Sequence, residues 1–237
     1  MKNIRTLTMS LVLATGVGLG CAASEDPSLT DAAGSAGARA ASTFHVNDLL
    51  AKLQGCRAVS HGKYKTDDEA NPSVDICGLD GAFFWKADMD IDCDGKRTAV
   101  CNEDTDDAYQ DQTSAEDSQG RPLDASKLPY VVIPLPSNRF DYQGQGLQLG
   151  QVVGVVFNGK IAFGVFGDEG PDDIIGEASF AMARELGIPS DPNQGGVDSG
   201  VTYVVFTGDD AVVSRIEDHA EAERIGKRKL LELLQNN

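Results

Sequence analysis

Between Phe83 and Asp94 the chain alternates without a break. Phe83, Trp85, Ala87, Met89, Ile91 and Cys93 fall on one side, and Phe84, Lys86, Asp88, Asp90, Asp92 and Asp94 on the other. A period of two sustained over twelve residues is incompatible with a helix and predicts a long strand with one buried face. The opposite face then carries four carboxylates at roughly 6.5–7 Å intervals, two residue rises apart. Such a row repels itself unless a cation, water or an arginine relieves it.

The neighbouring segments extend a β pattern. Tyr130–Leu135 is a short apolar run between Pro129 and Pro136. Gln151–Phe157 and Lys160–Phe166 flank Asn158-Gly159, the two-residue type I′ hairpin signature. Val201–Phe206 reads as a buried strand. Three helices are expected: Asp48–Gln54 capped by Asn47 and stopped by Gly55, Phe180–Leu186 between Ser179 and Gly187, and Ile216–Leu234. In the last, Ile225, Leu230, Leu231 and Leu234 are the packing candidates. Residues 102–121 are polar and acidic and read as a surface loop. The class is mainly β with flanking helices. The string Val-Val-Ile-Pro-Leu, the hairpin, Gly-Asp-x-Gly-Pro and a short helix resemble double-psi β-barrel families, including expansins and some lytic transglycosylases, so a double-psi β-barrel-like single domain is expected over 44–237.

The amino terminus is not part of that domain. Lys2 and Arg5 precede a short apolar run, which marks residues 1–20 as an export signal. Gly18-Leu19-Gly20-Cys21 resembles a lipobox, making Cys21 the expected lipidation site, with cleavage near Ala22 or Ala23 as the rival. Residues 22–43 are Ala, Ser, Gly and acids without apolar periodicity and read as a flexible linker. Secretion, or tethering to a cell envelope, follows as the expected location, and a monomer as the expected state. Loss of residues 1–20 takes the formal net charge from −17 to −19. That acidity argues against nucleic acid and anionic membrane surfaces and suits a cationic partner.

Of five cysteines, four lie beyond Cys21. In an exported chain Cys56, Cys77, Cys93 and Cys101 are expected to form two disulfides, and proximity favours Cys56–Cys77 and Cys93–Cys101. Asp90-x-Asp92-x-Asp94-Gly95 resembles the opening of a calcium loop. The twelfth position, however, is Cys101 where a bidentate acid is needed, and the preceding segment reads as strand. No metal and no cofactor are assigned. His45, His61 and His219 form no nucleophile–base pattern, and there is no Gly-x-Ser-x-Gly or phosphate loop.

The chemistry points to Phe163–Pro171 and Gly176–Ser179. Asp168 ends an apolar run and Glu177 precedes a helix, two carboxylates of the kind glycoside hydrolysis requires. The segment resembles glycoside hydrolase family 75, chitosanases first known from fungi. The resemblance runs from about Phe44 to the C-terminus and rests on four pieces in order: Phe84–Gly95, Leu128–Pro134, Asp168–Glu177 and Ser199–Phe206. It implies an endo-acting chitosanase that cleaves β-1,4 linkages between glucosamine residues with inversion, Asp168 and Glu177 being the catalytic pair. Which of the two is acid and which base stays open: likeness to double-psi hydrolases would put the acid at Asp168, and the helix start beside Glu177 suits a base. Asp88, Asp90 and Asp92 are the expected contacts to the cationic chitosan chain. Asp94, next to Gly95, is read as a turn residue and Trp85 as core. A peptidoglycan lytic transglycosylase and a non-catalytic expansin-like glycan binder are the alternatives.

Overall fold

The computed structural model describes residues 44–236. The export signal, Cys21 and the linker over 22–43 lie outside the described residues. Chain order is α1 (Val46–Lys52), β1 (Cys77–Leu79), β2 (Ala82–Asp92), β3 (Tyr130–Pro134), β4 (Val152–Phe157), β5 (Lys160–Gly170), β6 (Glu177–Ser179), α2 (Phe180–Leu186), β7 (Val197–Phe206) and α3 (His219–Asn236). The strands hydrogen-bond in the order β1-β2-β6-β3-β5-β4-β7, and β7 pairs back onto β2. Six strands therefore close into a barrel, and β1 is an outlying hairpin partner of β2. Closure leaves the ring without open edges. The β2–β6 and β3–β5 contacts are parallel; the other ring contacts are antiparallel. The expected class, mainly β with flanking helices, is the one that forms.

The alternation in β2 holds, but its consequence differs from expectation. Trp85, Ala87, Met89 and Ile91 are buried as predicted, and the Trp85 ring stacks on Tyr203 with centroids 5.2 Å apart. Aromatic pairs of this kind add about 0.5–1.5 kcal/mol beyond burial. The other face is only partly open to solvent: Lys86 and Asp90 are exposed, but Phe84, Asp88 and Asp92 are buried too. The reason is that both faces of the ring are covered. Phe84, Tyr130, Val132, Val204 and Phe206 pack with Leu49 of α1 and Ile225, Leu230 and Leu233 of α3. Trp85, Val131, Val153, Phe166 and Val205 pack with Met182 and Leu186 of α2. In α3, Ile225 and Leu230 are buried and Leu234 packs against the core as expected, whereas Leu233, not Leu231, is the further buried leucine.

Local chemistry explains the remaining boundaries. Asn158 and Gly159 both have positive φ, 47° and 75°, as the tight turn between β4 and β5 requires. Helix α1 starts at Val46 and not after Asn47: His45, still extended, is the N-cap. Ser179 caps α2 through Met182 N–H at 3.2 Å. The same hydroxyl accepts from Tyr130 N–H at 3.0 Å and donates to the Leu128 carbonyl at 2.8 Å, locking β6 onto β3. Strand β5 runs on past Phe166 to Gly170, and Glu177 lies in β6, a strand that has too few residues to show a period.

The disulfides pair as proximity suggested, Cys56–Cys77 and Cys93–Cys101. The first fastens the segment after α1 to β1; the second closes a short loop at the end of β2. Each constrains the unfolded chain, typically by about 2–4 kcal/mol. Thiol titration of the denatured, unreduced protein is expected to find none of these four cysteines reactive. Four free thiols would show that the bridges do not form.

Candidate active site

One β-bulge decides where the acids point. Along β3 and β5 the register runs Val131↔Phe166 and then Val132↔Asp168, so Gly167 is an extra residue with no partner. A bulge bends its strand and re-aims the next side chain. Without it Asp168 would fall on the Phe166 face; with it, Asp168 shares the face of Val165. Only glycine fits at the bulge, since a Cβ on Gly167 would stand 2.7 Å from Tyr130 Cβ and 2.9 Å from Leu123 Cδ1. On the far side of β3, Val131 pairs with Ala178, which sets Val132 beside Glu177 in the antiparallel register. Glu177 in turn pairs with Asp90 of β2. Asp168, Val132, Glu177 and Asp90 thus form one row across four strands. The two acids are separated by a single strand, which places their backbones roughly 9–10 Å apart.

The row lies in a groove of ≈ 1130 Å³. Ten of its lining residues are acids and none is Lys, Arg or His. The acids come from the loop after Tyr64 (Asp67, Asp68, Glu69), from β2 and its extension (Asp90, Asp92, Asp94), from Asp106, and from β5 and β6 (Asp168, Glu169, Glu177). Such a wall repels anions and attracts a polycation.

Within it the carboxyls differ in environment. Asp168 is buried, and its Oδ1 accepts from Ser114 N–H at 2.7 Å and Glu169 N–H at 2.8 Å. Burial raises its pKa, and these hydrogen bonds to the charged form offset only part of that rise. Glu177 reaches the groove in part, but burial of its carboxyl pushes its pKa up to about 8, helped by the negative charges of Asp90, Asp94 and Asp168. Asp92 is held well above the carboxylate range by burial and by Glu177 and Asp168. Asp94 rises to about 6 through burial, opposed by the Gln110 N–H that it accepts at 2.7 Å.

The expected substrate-facing trio is divided. Asp88, Asp90 and Asp92 do share a face of β2, but Asp92 joins Asp94 and Asp168, with carboxylate oxygens within 4.8 Å of one another. Asp88 and Asp90 instead meet Asp67. Asp90 and Asp92 line the groove; Asp88 lies beneath it. Asp94 is more than a turn residue, because its carboxylate converges with those of Asp92 and Asp168. Sequence reasoning passed over Asp67 and Ser114. Both lie in irregular segments where no periodicity marks a side chain's direction.

The family model for the fungal chitosanases of glycosyl hydrolase group 75 matches residues 89–230. This chain belongs to that family. All the acids from Asp90 to Glu177 just described fall inside the match. Among its relatives, endo-chitosanase C of Aspergillus oryzae is 34% identical over 175 residues, covering 69% of this chain and 43% of that protein. Endo-chitosanase B of Aspergillus oryzae is 36% identical over 162 residues, covering 61% of this chain and 67% of the relative. The chain thus spans less than half the length of the first of these. Among solved structures, Streptomyces papain inhibitor aligns at a TM-score of 0.32 and 19% identity, over 54% of this chain and 99% of the inhibitor.

Proposed function

We propose that this group 75 hydrolase cleaves β-1,4 linkages between glucosamine units of chitosan with inversion, Glu177 acting as general acid and Asp168 as general base. The row Asp168–Val132–Glu177 carries the reading. Two acids separated by one strand leave a gap above Val132 for a water between base and sugar, and inverting enzymes hold their carboxyls about 6.5–9.5 Å apart. A pKa of about 8 keeps Glu177 protonated at neutral pH, ready to protonate the leaving oxygen. Asp168, steadied as an anion by two backbone N–H groups, is suited to accept a proton from water. These roles are the reverse of those the helix start had suggested. Helix α2 begins only at Phe180, and burial among acids outweighs its field at Glu177. The acid wall, including Asp90 and Asp92, receives the sugar ammonium groups. Export directed by residues 1–20, a lipid on Cys21 and action as a monomer belong to the same proposal, and the two disulfides accord with an oxidising compartment.

Digestion of chitosans of graded acetylation, followed by mass spectrometry and by NMR of the anomeric proton, tests the proposal. Glucosamine oligomers that first appear as the α-anomer are expected. Early β-anomer would contradict inversion. Anhydro-muropeptides from peptidoglycan, or no products at all, would favour the transglycosylase or the binder.

A further inference from the structure

We propose that Asp67, Asp88 and Asp90 form a binding site for a hard divalent cation of the calcium class, one strand away from Glu177. Each of the three supplies a carboxylate oxygen within 4.8 Å of the other two. That spread accommodates oxygens placed around one ion at calcium distances of about 2.3–2.6 Å. Convergence of acids is not the only observation. Asp88 is 5% exposed, and its Oδ1 has no hydrogen-bond partner. A buried carboxylate oxygen left without donor or counter-charge is a costly arrangement that a cation relieves. Among the described residues no Lys or Arg forms an ion pair with any of the three. Lys65, on the same loop as Asp67, is engaged by Asp173 at 3.1 Å.

The chain makes room for this arrangement. A Cβ on Gly176 would stand 2.0 Å from Asp88 Oδ1, so the glycine before Glu177 is what lets the Asp88 carboxyl lie against β6. The donor set is all oxygen, which selects against zinc and other thiolate- or imidazole-seeking metals. Asp88 is fixed in β2, whereas Asp67 and Asp90 are exposed and leave positions for water. Calcium tolerates such mixed and irregular shells better than magnesium, which demands near-ideal octahedral geometry. The ion would join the loop carrying Asp67, Asp68 and Glu69 to β2, and so brace one wall of the groove. This differs from the Asp90-x-Asp92-x-Asp94 loop that the sequence suggested: only Asp90 is shared, and the other ligands come from Asp88 and from a distant loop.

The test is calorimetry and thermal unfolding of the full chain after treatment with chelator. Calcium at about 1 mM, the range of extracellular calcium modules, should release binding heat and raise Tm by about 1–5 °C. Magnesium should do less. Both effects should vanish in Asp67→Asn, whose exposed side chain can be changed without disturbing the core, and in Asp90→Asn and Asp88→Asn. Absence of heat and of any Tm change in the wild type would overturn the site. An undiminished response in Asp67→Asn and Asp90→Asn would place the ion elsewhere and overturn it equally. Stabilisation by glucosamine oligomers but not by calcium, lost in the same variants, would reassign the cluster to a sugar ammonium.

Discussion

Asp168→Asn and Glu177→Gln are each expected to slow chitosan hydrolysis by about 10²–10⁴-fold, the usual loss when a general acid or base is removed. Neither change should lower Tm. Asparagine keeps an oxygen to accept the Ser114 and Glu169 N–H groups, and glutamine removes a charge that burial and three nearby acids already disfavour. The pair should also separate by leaving group. A glucosaminide with a phenolate leaving group needs little protonation, so it should restore Glu177→Gln more than Asp168→Asn. The opposite ordering would exchange the two roles. In the wild type, kcat should fall as pH rises through about 8, because Glu177 then loses the proton it must donate. Near-wild-type turnover by either variant would remove that residue from the catalytic pair.

Gly167→Ala should damage both stability and rate, although the residue carries no functional group. The added methyl would meet Tyr130 Cβ at 2.7 Å and Tyr130 Cγ at 2.8 Å. These atoms sit on the neighbouring strand and cannot swing aside. Overpacking of this sort costs about 1–3 kcal/mol, which at this chain length lowers Tm by roughly 2–4 °C per kcal/mol. Relief requires β5 to move away from β3, which displaces Asp168 and should lower kcat well beyond what the Tm loss explains. Gly55→Ala is the control, since a Cβ there meets nothing within 4 Å. If Gly167→Ala matches that control in both Tm and kcat, the bulge does not set the position of Asp168.

The barrel was legible where the chain had to bury one side of a strand. β2, the β4–β5 hairpin and α2 follow from period, turn residues and caps, each a local property. β1 and β6 have three residues apiece and show no period, so Glu177 read as the approach to a helix. Asp168 and Glu177 could be picked out as a pair, but not their separation, because that depends on β3, distant in sequence, lying between them. The acids of β2 were placed on the right face. Their division into two groups could not be foreseen, since Asp67 arrives from an irregular loop and Asp168 is turned by a bulge. Asp94 was undervalued for a similar reason: Gly95 marks the turn plainly, while the carboxylate also meets Asp168, more than seventy positions away.

The seam between β2 and β7 governs how the molecule comes into being. These strands pair from Ala82↔Phe206 to Ala87↔Val201, and the Tyr203 hydroxyl donates to the Asp88 carbonyl across 115 residues of chain. Without that seam β2 meets the rest of the ring only through three residues of β6. Loop-closure entropy must therefore be met before most contacts of β2 can reward it, and non-local β topologies of this kind fold in milliseconds to seconds. A nascent chain that has emerged only as far as Glu177 already holds every acid of the groove, yet its acid-bearing strand has almost nothing to pair with. The groove's acid-bearing strand is thus fastened into the ring only when β7, a strand that contributes no acid to the groove, arrives to pair with it.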